Sequence, residues 1–348
     1  MEPNSTAGSF DSTILSTISL TMVRLFSVLL GLLAAAALAV GGYSYFQLNK
    51  PLLTQAKTVA ISGPAINNAL AQLRQQGVDL PDSLSAAILR YSRGDKLKPG
   101  LYELPAGATG MQVLQTLIAG KGKLITVRIV EGSTFREIRA ALSEHPWLKK
   151  DLQGKDDAAV MAQLGLPGVS PEAQFFPETY HLSPLSTESA VLRAANAALK
   201  KQLDAAWTAR SPGAAVKTPA EALNLASIIE KETGLDKDRP LVSAVFNNRL
   251  RIGMRLQTDP TIIYGLGEKF DGNLRKIHLT TDAPYNTYTR AGLPPTPIAA
   301  PSEASIRAAT QPANSDALYF VARGDGTTVF SKSLADHNNA VNKYQKGG

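Results

Sequence analysis

The segment NLASIIEKETG, residues 224–234, places two glutamates, Glu230 and Glu232, at the end of an otherwise apolar run. Two helical positions are separated by about 200° of rotation, so the two carboxylates cannot share a face. Glu232 stacks over Ile229, Ile228 and Leu225, whereas Glu230 stacks over Ser227, Ala226 and Leu223. A carboxylate backed by isoleucine and leucine loses hydration, which disfavours its charged form and lets it keep a proton near neutral pH. Such a group can act as a general acid and, once the proton is given up, as a base. The plain alternative is a core glutamate neutralised by an arginine or a backbone amide.

Polar groups suited to a hydroxyl-rich substrate follow in two stretches. VFNNRLRIGMRLQTDPTIIYGLG, residues 245–267, mixes apolar anchors with polar side chains and offers Gln257, Asp259 and Tyr264. APYNTYTRAGLPPTPIAAP, residues 283–301, is a loop dense in Tyr, Asn, Thr and Pro. There Tyr285, Asn286, Thr287 and Tyr288 supply flat rings and amides that stack on sugars and hydrogen-bond their hydroxyls, on a backbone stiffened by proline. Concentrated behind a buried glutamate, they suggest a saccharide cleft.

Other chemistries lack their residues. The chain has no cysteine, which excludes disulfides, thiolate metal sites and a cysteine nucleophile. His145, His181, His278 and His337 lie far apart, and there is no HExxH, Gly-rich phosphate loop or GxSxG elbow. Neither a metal nor a cofactor is expected. The formal charge of +7 comes from Lys and Arg scattered without interleaved aromatics, the pattern of a solvated surface and not of a nucleic-acid-binding one.

A helix must hold the acid. Thr218-Pro219-Ala220-Glu221 reads as a capping box with proline at the first helical position, so a helix is expected from there to about Thr233, stopping at Gly234. Its body, ALNLASII, is apolar around most of its circumference and belongs in a core. LITVRIVEG, residues 124–132, alternates as a half-buried strand does, and TFREIRAALSEH behind it reads as a helix. Residues 51–124 read as two helices, a strand at KPGLYEL and a further helix stopped by glycine. Helices and strands stay interspersed to the end, which predicts an α+β fold.

No charged residue occurs from Leu25 to Asn49, and the 22 residues from Leu25 to Phe46 suffice to cross a membrane core of ~30 Å. Tyr43, Tyr45 and Phe46 would sit at the far interface. A cleaved signal peptide with ALA at 37–39 is the competing reading, but its apolar region would be long and its basic region nearly absent. Met22 offers an alternative start. Arg24 before the span and Lys50 and Lys57 beyond it leave orientation undecided by charge. The expected organisation is a short unstructured segment 1–23, an anchor 24–46, a small domain 47–124 and a larger α+β domain 125–348.

ASIIEKET (226–233), FNNRLRIGMRLQTDPTIIYGLG (246–267), APYNTYTRAGLPP (283–295) and FFPETYHL (175–182) together resemble the endolytic murein transglycosylase (YceG-like) family. LYFVARGDGTTVFSKSLADHN, residues 318–338, fits the same pattern in the same order. The resemblance implies a single-pass inner-membrane anchor with its N-terminal segment in the cytoplasm, a LysM-like subdomain over 47–124 and a periplasmic catalytic domain over 125–348. It implies a lyase that cuts nascent peptidoglycan strands internally, forms 1,6-anhydro-N-acetylmuramic acid ends and so terminates elongation, with peptidoglycan synthases as candidate partners. It also assigns catalysis to the second glutamate of EKET, here Glu232. Three positions depart from the pattern: Ala173 follows Glu172 where glycine is usual, Thr296 follows GLPP where glycine is usual, and Thr328 replaces a histidine. Two rivals remain. A tethered glycan-binding scaffold would need no acid, and a muramidase using water would want Asp259 or Glu230 as a second carboxylate.

Overall fold

The computed structural model describes residues 11–94 and 96–345, in two compact units that meet in sequence between Lys123 and Leu124. The first unit begins with helix α1 (Asp11–Leu48). Its stretch Met22–Leu48 is long and apolar enough to cross a membrane, and Leu25, Phe26, Leu29, Leu30, Leu32 and Leu33 are exposed. The helix starts well before the expected span. Residues 11–23, expected to be unstructured, continue it because no glycine or proline interrupts DSTILSTISLTMV; residues 1–10 lie outside the described ones.

Beyond the anchor come β1 (Lys57–Ile61), α2 (Ile66–Gln75), α3 (Asp82–Arg93), β2 (Gly100–Leu104) and α4 (Gly110–Ala119). The two strands pair antiparallel from Lys57↔Leu104 to Ile61↔Gly100, with two helices between them in sequence. Val59, Ile61, Leu73, Leu89, Tyr102, Leu104, Leu114 and Leu117 form the core with Leu48. The outer edge of β1 is occupied by side chains: Gln76 accepts from Ala60 N–H (2.8 Å) and donates to Ala60 O (2.9 Å), which blocks further strand addition. Thr109 and Gln112 close a reciprocal capping box on α4.

The second unit contains β3 (Ile125–Arg128), α5 (Phe135–Glu144), α6 (Asp157–Gln163), β4 (Thr179–Leu182), α7 (Glu188–Thr208), α8 (Pro219–Glu232) and α9 (Arg239–Arg251). It continues with α10 (Asp259–Leu266), α11 (Lys276–Thr280), α12 (Glu303–Thr310), β5 (Tyr319–Ala322), β6 (Thr328–Ser331) and α13 (Leu334–Tyr344). β3 pairs with β4 and β5 with β6, both antiparallel, so the sheets are small and the helices carry the core. α8 lies at the centre, packed by α7, α9, α10 and α12. Every residue from Ala222 to Ile229 is buried. Thr218 caps α8 by accepting from Glu221 N–H (3.1 Å), but Glu221 accepts from Lys217 N–H (2.6 Å) and not from Thr218, so the expected box is displaced by one residue on its return side.

Two buried polar side chains of α8 fix the proline-rich loop. Asn224 donates to Pro294 O (2.7 Å), and Ser227 Oγ accepts from Ile298 N–H (3.0 Å). These bonds hold residues 294–298 along the helix that ends in Glu232, because leaving the groups unpaired in the core would cost about 1–3 kcal/mol each.

In the first unit a Cβ added at Gly100 would lie 2.5 Å from Gly122 Cα and backbone carbon, a contact that only a backbone shift can relieve. Gly100→Ala should therefore destabilise this unit by about 1–3 kcal/mol. Both tryptophans, Trp147 and Trp207, lie in the second unit. Hydrogen exchange of residues 57–123 in the full chain should accelerate, while the tryptophan-monitored unfolding transition stays in place.

Candidate active site

The two glutamates at the end of α8 meet different fates. Glu230 is enclosed, with its side chain 7% exposed. Its Oε2 accepts from the Ser302 N–H (2.9 Å) and hydroxyl (2.5 Å), and Arg239 Nη2 lies 3.5 Å from Oε1. Ser302 is also the N-cap of α12, so Glu230 ties α8 to α9 and α12. Its carboxylate is consumed by structure.

Glu232 is half-buried on the other side of the helix end and has no ion pair among the described residues. Thr258 donates its hydroxyl to Oε1, and Oε2 has no protein partner among the described residues. Burial raises its pKa first of all; the Thr258 hydrogen bond lowers it, the Asp259 charge raises it and the Arg249 charge lowers it, with a net upward shift. The carboxyl therefore sits where a proton can be held and released.

The groups around it come from the two stretches singled out in the sequence. Thr258 is the N-cap of α10, and Gln257 before it has φ +49°, a left-handed backbone at an exposed non-glycine residue. This turn is stitched to the 283–301 loop by Gln257 N–H to Thr287 O (3.1 Å), Thr258 N–H to Thr287 Oγ1 (3.1 Å) and a Thr261–Thr287 hydroxyl contact (2.9 Å). Tyr288 donates to Asp259 Oδ1 (2.6 Å), and its own pKa is raised by burial and by that carboxylate, with a further contribution from Glu232. Glu232, Thr258, Asp259, Thr287 and Tyr288 thus form one cluster.

Three expected contacts lie elsewhere. Asn286 is buried, and its amide donates to the carbonyls of Thr281 (2.6 Å), His278 (3.0 Å) and Leu279 (3.3 Å) while accepting from Tyr288 N–H (2.9 Å). It shapes the loop and has no group left for a substrate. Tyr264 and Tyr285 pair edge to face, centroids 5.0 Å apart, on a different face of α10. Gly265 permits the approach, since a Cβ there would lie 2.9 Å from Tyr285 Cβ. Tyr285 also bonds Thr296 Oγ1 (2.7 Å), which gives the threonine at that departure from the family pattern a partner.

Tyr264 leads to a residue that the sequence did not single out as titratable. Its hydroxyl donates to Glu172 Oε2 (3.1 Å), and Phe135 N–H at the start of α5 donates to Oε1 (3.0 Å). Glu172 is 4% exposed, and burial lifts its pKa to about 7 against the hydrogen bonds that lower it. It lines a groove of about 730 Å³ with Phe135, Lys231, Pro260, Tyr264 and Phe270. Lys231 and Pro260 are the sequence neighbours of Glu232 and Asp259. Ala173, next to Glu172, has φ +60°, where glycine would be about 1 kcal/mol more comfortable. Arg249 and Thr258 also escaped the sequence reading; in FNNRLR nothing distinguishes Arg249 from its polar neighbours Asn247, Asn248 and Arg251. No group of three or more His, Asp or Glu among the described residues could hold a metal ion.

A carboxyl centre of this kind, at the end of a buried helix beside a groove, has the surroundings that acid/base chemistry requires. The YceG-like family model matches residues 60–343, and the chain belongs to that family. An endolytic murein transglycosylase of Bacillus subtilis (strain 168) is 32% identical over 302 residues, covering 81% of this chain and 83% of that protein. Another, from Streptococcus pneumoniae serotype 2 (strain D39 / NCTC 7466), is 29% identical over 314 residues, and the match covers 86% of this chain but 50% of that protein. The crystal structure of a YceG-like protein from Listeria monocytogenes aligns with a TM-score of 0.54 at 30% identity, covering 82% of this chain and 98% of that one.

The Glu172 shift has a measurable consequence. Its folded pKa lies near 7 against an ordinary 4.5, so the stability it contributes is fully present below about pH 4.5 and is lost as pH rises through 7. The full loss corresponds to about 3 kcal/mol. Glu172→Gln should flatten the decline in unfolding free energy between pH 5 and pH 8, read by tryptophan fluorescence in denaturant. An unchanged slope would show that Glu172 titrates normally.

Proposed function

We propose that this protein is a membrane-anchored endolytic lytic transglycosylase, a lyase that cuts peptidoglycan strands between N-acetylmuramic acid and N-acetylglucosamine. The observation that carries the reading is Glu232: a carboxyl with raised pKa, oriented by Thr258 at the end of a buried helix, in a chain akin to an endolytic murein transglycosylase.

The chemistry needs one such group. With Thr258 bonded to Oε1, the proton resides on Oε2 and passes to the glycosidic oxygen as the bond from C1 of the muramyl sugar breaks. The carboxylate then takes the proton of the 6-hydroxyl of that same sugar, whose oxygen closes on C1. The product is a 1,6-anhydro end, the N-acetylglucosamine end leaves with its 4-hydroxyl, and Glu232 regains its proton without water. Because the attack is intramolecular, no second catalytic base is required. In this reading the Asp259 carboxylate, held by Tyr288, stabilises positive charge developing at C1. Gln257, exposed beside Thr258, contacts the sugar in this reading, and the groove beside Lys231 and Pro260, with Tyr264 in its wall, takes the strand away from the cut. Its volume lies in the usual range for ligand clefts, roughly 300–1,000 Å³.

In the same reading α1 spans the inner membrane and residues beyond it are periplasmic. The first unit, two helices between paired strands, is LysM-like and presents nascent glycan, so that cleavage terminates elongation beside the synthases that make the strand. A water-using muramidase is less well supported, because Glu230 is consumed by Arg239 and Ser302 and only Asp259 is left as a second carboxylate.

The test is mass spectrometry of uncrosslinked glycan strands treated with the detergent-solubilised full chain. Anhydro ends are expected; reducing-end muramic acid would indicate a hydrolase. Glu232→Gln should bind strands yet lose at least about 10²–10⁴-fold in rate. Glu230→Gln should lower the melting temperature by weakening a buried ion pair while the folded fraction stays active. An active Glu232→Gln would overturn the assignment.

A further inference from the structure

Arg249 is an oddity of the second unit. It is 7% exposed, yet it forms no ion pair among the described residues. Its Nε donates to Leu318 O (2.7 Å), and its Nη1 donates to Leu256 O (2.6 Å) and, more weakly, to Arg255 O (3.5 Å). The guanidinium carbon lies 5.3 Å from the centroid of the Tyr319 ring, which stacks on His337 at 5.2 Å and 23°. A buried cation whose hydrogen bonds, among the described residues, go to neutral carbonyls has its desolvation incompletely offset, so a methionine would pack there at lower cost. Something other than stability accounts for an arginine.

We infer that Arg249 positions and tunes the Glu232 carboxyl, by clamping the turn that carries Thr258 and by directing an unneutralised positive charge at the site. The inference rests on the reading of Glu232 as the acid/base. The clamp is local. Leu256 precedes Gln257, whose left-handed backbone sets the direction in which Thr258 presents its hydroxyl to Glu232. Holding the Leu256 carbonyl from α9 therefore fixes that strained turn, and the planar fork does what an ammonium cannot, engaging two carbonyls at set angles. The fork also joins β5, through Leu318, to the same point.

The charge acts on the first half of the reaction, in which Glu232 gives up its proton. The groups that bear on Glu232 are Asp259 from α10 with the Thr258 hydroxyl at its N-cap, Arg249 from α9 and Tyr288 from the loop; those that bear on Arg249 are Tyr288 from the loop, Tyr319 from β5, His337 from α13 and Glu232 itself. Burial and Asp259 oppose ionisation of Glu232, so without Arg249 the carboxyl would give up its proton reluctantly. Burial and Arg249 lower the His337 pKa, which disfavours a competing cation in the stack.

Two variants of the full chain separate clamp from charge: Arg249→Lys keeps the charge and loses the fork, and Arg249→Gln loses the charge. Each is assayed for anhydro-end release across pH, with its melting temperature recorded. In the parent, kcat/KM should fall on the alkaline side as Glu232 loses its proton. Arg249→Gln should move that limb to higher pH, whereas Arg249→Lys should leave it in place while kcat drops roughly 10- to 100-fold, the cost of a misplaced group. A folded Arg249→Gln whose profile has the parent's limb would overturn the electrostatic role, and an Arg249→Lys with parental kcat would overturn the clamp, even if Arg249→Gln does not fold. Glu232→Gln run alongside distinguishes the two levels: if it remains active, the acid/base reading has failed and not the positioning by Arg249.

Discussion

Withholding water is the chief means by which a fold keeps a proton on the Glu232 carboxyl, and a fold withholds water by closing other groups around it. Much of the second unit serves that requirement. α8 is buried from Ala222 to Ile229, so its C-terminal end is a fixed point and not a fraying one. Asn224 and Ser227 bring the 294–298 segment against it, and Glu230 anchors α9 and α12 to the last turn. Glu232 is then left with a single hydrogen-bond donor and a partly open oxygen. Burial on its own would make a poor catalyst, because a carboxyl that never ionises cannot act as a base. Against burial and the Asp259 charge, the Thr258 hydrogen bond and the Arg249 charge favour the ionised form.

What local sequence determines was readable before the structure. Apolar periodicity and glycine stops marked the helices of the first unit, and the helical rotation between Glu230 and Glu232 separated their surroundings. The groups that complete the site were not readable, because each depends on chain crossings. Arg249 is defined by carbonyls at Leu256 and Leu318, the latter 69 residues away, and Glu172 by Phe135 and Tyr264, 37 and 92 residues away. Asn286 looked like a sugar ligand from its type alone. Its carbonyl partners 278–281 belong to a short helical turn that composition does not announce. Glu221 had the right spacing for a capping box, yet Lys217 N–H lay within its reach and took the bond.

The departures from the family pattern have local accommodations. Thr296 gains the Tyr285 hydroxyl, and Thr328 donates to Asp238 Oδ2 (2.7 Å) at the N-cap of α9, linking β6 to that helix without a histidine. Ala173 tolerates a left-handed backbone because the hydrogen bonds of Glu172 beside it hold the turn.

The reach of Arg249 into β5 makes one side chain a rivet between two distant segments. The guanidinium that holds the Leu256 carbonyl also bonds the Leu318 carbonyl and lies over the Tyr319 ring. The β5–β6 hairpin therefore cannot shift without loosening the turn that carries Thr258.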